Sequence, residues 1–72
     1  MIGSRLKLAR ESLGLSLRDL EASIEKSASA QAIGKYERDE MMPSPEILAT
    51  LASSLNTTPD YLLSQRNVRL SN

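Results

Sequence analysis

Apolar residues return along the first part of the chain once per helical turn. Ile2, Leu6, Ala9 and Leu13 fall on one side of a helix over residues 2–13, and Arg5, Lys7 and Glu11 point elsewhere. Gly14 suits the left-handed residue that ends such a helix. Leu15 plugs the core at the corner. Ser16 opens a second helix of about two turns, because Asp19 three residues later completes a capping box. Leu17, Leu20 and Ile24 make its buried side. Residues 25–28 connect to a third helix without a glycine or proline to mark the turn. Ser29 caps that helix. Ala32, Ile33 and Tyr36 share its inner side, while Ala30, Gln31, Gly34, Lys35 and Arg38 fall mostly on another face.

The second half is punctuated more clearly. Residues 39–43 form a loop that ends at Pro43, which disfavours helix in the residue before it. Ser44-Pro45-Glu46 combines a cap, a proline in the first turn and an acid at the positive end of the dipole. Ile47, Leu48, Leu51, Ala52 and Leu55 then give a fourth helix, ended by Asn56. Thr58-Pro59-Asp60 repeats the start signal, and Tyr61-Leu62-Leu63 forms a short fifth helix over the core. From Ser64 the chain is polar; Val68 and Leu70 alternate with charge, as in a strand or a tail. The pattern predicts an all-α domain over residues 2–63, with 64–72 a polar tail or the start of a linker. No internal repeat is present.

Composition narrows the chemistry. The 72 residues hold no cysteine and no histidine, which removes disulfides, thiolate sites, most transition-metal chemistry and the usual base of a nucleophilic triad. Neither a glycine-rich phosphate loop nor a paired-acid site on one face replaces them, so an enzyme is not expected, and no cofactor is implied. Leucine, isoleucine and alanine dominate and phenylalanine and tryptophan are absent, which favours helices. No apolar run approaches the roughly 20 residues of a membrane span, and the first residues lack the apolar core of a signal peptide. A cytoplasmic protein is expected.

Formal net charge is zero, which argues mildly against a nucleic-acid partner. Distribution qualifies this: Arg5, Lys7 and Arg10 lie in the first segment, Lys35 and Arg38 in the third, and Arg66 and Arg69 in the tail. The small, polar, cationic outer face of the third helix suits the major groove of double-stranded DNA. With the second helix it predicts a helix-turn-helix unit. The Met41-Met42 pair reads as core filling or loop cover, and Tyr36 and Tyr61 as edge-of-core residues.

Five segments in order then resemble the XRE-type, lambda-repressor-like helix-turn-helix domains of bacterial and phage regulators. They are Arg5-Leu6-Lys7-Leu8-Ala9-Arg10, Gly14-Leu15-Ser16-Leu17-Arg18-Asp19-Leu20, Ser29-Ala30-Gln31-Ala32-Ile33 with Lys35-Tyr36-Glu37-Arg38, Leu48-Ala49 with Leu51-Ala52, and Thr58-Pro59-Asp60-Tyr61-Leu62-Leu63. The resemblance implies a compact five-helix bundle whose second and third helices read DNA, the third in the major groove. It implies a cytoplasmic transcriptional repressor that binds its operator as a homodimer. Ala30, Gln31 and Lys35 would face base edges: Gln31 pairing with adenine, Lys35 reaching guanine acceptors, Ala30 touching a thymine methyl. Ser29 belongs to the same DNA-facing set. Gly34 would let the helix approach closely, and Ser16 and Arg38 would hold phosphates. Arg10 and Glu37 would form a partly buried ion pair locking the first helix to the third.

Departures accompany the likeness. Leu17 stands where many members have a glutamine on the DNA backbone, and Glu21 where a small residue lets the two helices cross. The connection is about two residues longer than usual and lacks its glycine, so the family's close crossing is not dictated here. Asp39 and Glu40 repel phosphate, which points to modest, salt-sensitive affinity unless a dimer doubles the contacts. The near-neutral surface gives the alternative of a protein-interaction or antitoxin-like adaptor module. More narrowly, residues 30–44 are similar to the N-terminal domains of regulators fused to a zinc metallopeptidase, and the ending at Val68-Arg69-Leu70-Ser71-Asn72 suits a chain cut from a longer one.

Overall fold

One aliphatic side chain from each of five helices meets at the centre of the computed structural model, which describes residues 2–63. The helices are α1 (Gly3–Ser12), α2 (Leu17–Ser23), α3 (Ala30–Glu37), α4 (Pro45–Ser54) and α5 (Pro59–Leu63). Leu6, Leu20, Ile33, Leu51 and Leu62 are fully buried, with Ile2 beside them. Ile24, Ala28, Tyr36, Leu48, Ala52 and Leu55 complete the core. Each large aliphatic side chain removed from water contributes about 1.5–3 kcal/mol, and this core is the main force holding the helices together. The helix α3 lies between α1 and α2, and α5 closes over α4 and α1.

The starts of the helices are as the caps predict. The side-chain oxygens of Ser16, Ser29 and Ser44 accept bonds from the backbone N–H groups of Asp19 (3.0 Å), Ala32 (3.0 Å) and Ile47 (3.2 Å). Thr58 Oγ1 does the same for Tyr61 N–H at 3.1 Å. Only α1 has no side-chain cap of its own. Its Gly3 N–H donates instead to Asp39 Oδ1, 3.0 Å away and 36 residues along the chain. The carboxylate thereby meets the positive end of the α1 dipole.

Four helices end in one geometry. The next N–H groups turn back to the last free carbonyls: Gly14 to Glu11 (2.9 Å) and Leu15 to Arg10 (3.2 Å) after α1, and Glu25 to Ala22 (3.0 Å) and Lys26 to Glu21 (2.9 Å) after α2. After α3 they are Asp39 to Tyr36 (3.1 Å) and Glu40 to Lys35 (2.9 Å); after α4, Asn56 to Ser53 (3.2 Å) and Thr57 to Ala52 (2.9 Å). These are Schellman closures, each with a left-handed residue at the corner. Gly14 (φ 71°) adopts that conformation without cost, Asn56 (58°) and Asp39 (60°) tolerate it, and Glu25 (55°) with Lys26 (63°) is strained.

Two expectations are corrected. Leu13 is 45 % exposed. It follows the last helical residue, where the closure at Gly14 swings it out of the inward stripe. Met41 and Met42 are 41 % and 60 % exposed, which overturns the core-filling half of their reading and leaves loop cover; only Pro43 of that loop is buried. Tyr36 is buried and Tyr61 half-buried, with the Arg5 guanidinium 4.9 Å from the Tyr61 ring centre, a cation–π distance. The expected tail or strand at Val68 and Leu70 lies outside the described residues.

The α1–α3 contact is close enough to demand a glycine. A Cβ on Gly3 would lie 2.3 Å from the Glu37 carbonyl oxygen and 2.9 Å from Asp39 Oδ2. The nearer atom is backbone and cannot step aside. Gly3→Ala is expected to destabilise the fold by about 2 kcal/mol in urea unfolding, as over-packing does. An unchanged midpoint would mean that the start of α1 does not sit against the end of α3.

Candidate nucleic-acid interface

The unit that presents α3 is built from α2 upward. Ser16 and Asp19 bond reciprocally: the serine oxygen accepts from Asp19 N–H, and Asp19 Oδ2 accepts from Ser16 N–H at 2.8 Å. Those bonds hold the Asp19 carboxyl below the usual carboxylate range, the backbone N–H first and the hydroxyl second. A carboxyl depressed in the folded state contributes stability above its unfolded pKa and loses it as pH falls through the folded value. Asp19→Asn is therefore expected to be less stable than wild type near neutrality, with the gap narrowing below about pH 4. Thermal melts of both proteins across that range check the sign.

The turn at Glu25 and Lys26 redirects the chain, and buried Ala28 anchors it before Ser29 begins α3. Ile33 and Tyr36 then face the core, which leaves Gln31 and Lys35, one helical turn apart, exposed on the outside. Ala30 and Ala32 are half-buried beside them. Two open grooves flank Gln31. One of about 460 Å³ is lined by Ser29, Gln31, Ala32, Lys35, Arg38 and Met41. The other, of about 330 Å³, is lined by Arg18, Glu21, Ser29, Ala30 and Gln31. Gln31 is thus a ridge with depressions on both sides. Ser16, Ser29 and Arg38 are also exposed. Arg18 and Met41, not foreseen at this face, line its grooves; a sequence pattern along α3 alone has no means of reaching them.

Gly34 is not on that face. It is buried, and a Cβ there would meet Leu17 Cδ1 at 3.6 Å and Arg38 Nη1 at 3.2 Å. Gly34 packs beneath Arg38 and Leu17. It sits on α3 opposite Leu17 at ordinary contact distance, and α2 packs on α3 without the small residue that the family pattern puts after Leu20. Glu21, at that family position, is half-buried beside the smaller groove.

Arg38 is exposed but engaged. Its Nε and Nη2 donate to Glu40 Oε2 and Oε1 at 2.9 and 3.3 Å. The pair raises the Arg38 pKa and holds the Glu40 carboxyl low, chiefly through the hydrogen bond.

Behind the face, Arg10 forms the interior tie. Its Nε donates to Glu37 Oε2 at 2.7 Å, Nη2 to Glu37 Oε1 at 3.1 Å, and Nη1 to the Leu15 carbonyl at 2.7 Å. Side-chain exposure is 11 % for Arg10 and 7 % for Glu37, so the expected ion pair is present and buried. Glu37 raises the Arg10 pKa, keeping the cation charged at every accessible pH. With the Gly3–Asp39 bond, this tie fixes the end of α3 to α1 at two places.

Comparison with known proteins places this geometry. The chain is similar to the P22 c2 repressor protein, crystallised in complex with synthetic operator 9T in the presence of Tl+, with 32 % sequence identity and a TM-score of 0.83. The match covers 92 % of this chain and 97 % of that one. No curated protein sequence matches the chain significantly. Among the described residues no helix is long and apolar enough to cross a membrane. The model of the family HTH_3, helix-turn-helix, matches residues 6–62, and this chain belongs to that family.

Proposed function

We propose that this chain is a transcriptional repressor that binds double-stranded DNA in a sequence-specific manner, with α3 in the major groove. The observation that carries the reading is the outer face of α3. Gln31 and Lys35 stand exposed between open grooves while the opposite face is locked into the core. The likeness to a repressor solved with a synthetic operator supports it. Gln31 pairs in bidentate fashion with adenine, Lys35 reaches guanine acceptors, and Ala30 lies against a thymine methyl. Ser29 borders both grooves and contacts the DNA at the start of α3. Ser16 stands exposed at the start of α2 and lies against a phosphate. The protein works in the cytoplasm or nucleoid, as a homodimer on a two-fold site with half-sites about one helical turn apart.

Gel-shift titration against genomic fragments at low and moderate salt tests this. Selective retention of a subset of fragments, weakening steeply with salt, is expected. Absence of selective binding at every salt would remove the reading and leave a protein-interaction or adaptor module. Residues 30–44 also support the proposal that the domain serves a regulator carrying a zinc metallopeptidase. An HExxH segment in the parent reading frame would establish it, and a frame without one would refute it.

A further inference from the structure

The acidic loop after α3 does more than dilute the positive charge of the interface. The closure of α3 gives Glu40 a fixed backbone position: its N–H is bonded to the Lys35 carbonyl at 2.9 Å, with Asp39 at the corner bonded to Tyr36 and, through its side chain, to Gly3. From that position the Glu40 carboxylate takes Nε and Nη2 of Arg38 in a two-point pair, the geometry in which arginine grips a phosphate. The Arg38 guanidinium lines the larger groove while Glu40 holds it. Its Nη1 lies over the α3 backbone at Gly34, where the missing side chain leaves it room. The hydrogen bond from Arg38 is the main cause that keeps the Glu40 carboxyl low, and Lys35 on the same edge adds to it electrostatically.

We propose that Glu40 sets the DNA affinity of this domain by withholding Arg38 from the phosphate backbone, acting as an intramolecular substitute for a phosphate. The proposal rests on the DNA-binding reading above. In the native protein Arg38 then makes no backbone contact, and binding leans on the base-edge contacts of Gln31 and Lys35. Sequence-independent binding is kept weak. Because a phosphate contact adds equally to every duplex, releasing Arg38 strengthens matched and unmatched binding alike.

The test compares wild type, Glu40→Gln, Arg38→Ala and Arg38→Ala/Glu40→Gln, with Asp60→Asn on α5 as an equal charge change elsewhere. Two probes are used: a duplex isolated by selection from a random pool, and a scrambled duplex of the same composition. Glu40→Gln is expected to bind both roughly threefold tighter, the weight of one exposed ion pair. Its plot of log affinity against log salt should steepen by about one unit, the signature of one more cation on phosphate. In the Arg38→Ala background the same substitution should leave that slope unchanged, because no guanidinium remains to be released. Asp60→Asn should leave it unchanged as well. An equal change of slope with and without Arg38, or one matched by Asp60→Asn, would overturn the proposal. So would no change of slope at all. If wild type and all variants ignore both duplexes, the DNA-binding reading itself fails, which is a separate and recognisable result. Glu40 and Arg38 are more than half exposed, so circular dichroism should show all variants folded.

Discussion

Glu37→Ala is expected to lower the unfolding free energy by about 3 kcal/mol, because it leaves the Arg10 charge buried with its main partner gone. Arg10 would retain the Leu15 carbonyl and a 3.8 Å approach to exposed Glu11, neither of which replaces a two-point carboxylate. A fall of this size is a large share of the stability of a domain this short. The comparison with Arg10→Met/Glu37→Leu separates desolvation from attraction. Removing both charged groups should recover most of the loss, since burying two ions costs nearly as much as their pairing returns. Guanidinium unfolding of the three proteins, followed by circular dichroism, reads the comparison. A loss under about 1 kcal/mol for Glu37→Ala would place the pair in solvent and contradict its burial.

The second large effect concerns recognition rather than folding. Gln31→Ala combined with Lys35→Ala is expected to cut the preference for a selected duplex over a scrambled one roughly a hundredfold, since one bidentate base contact discriminates by about 1–3 kcal/mol. Residual binding should be weak and indifferent to sequence. Stability should move by less than about 0.5 kcal/mol, because both side chains are exposed and hold no core contact. Competition titrations with the two duplexes measure the ratio directly. A preference left intact in the double variant would mean that the discriminating contacts lie elsewhere than on α3.

Much of this was legible because local signals and global packing agree. Ser16, Ser29, Ser44 and Thr58 each stand before a helix, and each caps one, because a short oxygen side chain satisfies first-turn N–H groups without help from distant residues. Gly14 and Asn56 announced their corners for an equally local reason. Glu25 did not, since nothing in a glutamate advertises a left-handed backbone, and Asp39, which tolerates one, is held at its corner by a bond to Gly3. Asp39 shows the limit most clearly. It reads as a stray acid near phosphate, yet its carboxylate caps a helix that begins 36 residues earlier. The outer placement of Gln31 and Lys35 followed from periodicity. The burial of Gly34 and the capture of Arg38 did not, because they depend on Leu17 packing from another helix and on where the chain turns after α3. Leu13 failed for the same cause, a helix that closes one residue sooner than its apolar repeat suggests.

The claim that α3 is the reading element is tested most directly by mapping backbone and side-chain NMR shifts on titration with a selected duplex. The expected result is that the largest changes fall on Ala30, the Gln31 side-chain amide and Lys35, with smaller ones at Ser16 and Ser29, while α4 and α5 stay unperturbed. Changes concentrated on α4 and α5, with the Gln31 amide unmoved at saturation, would contradict it.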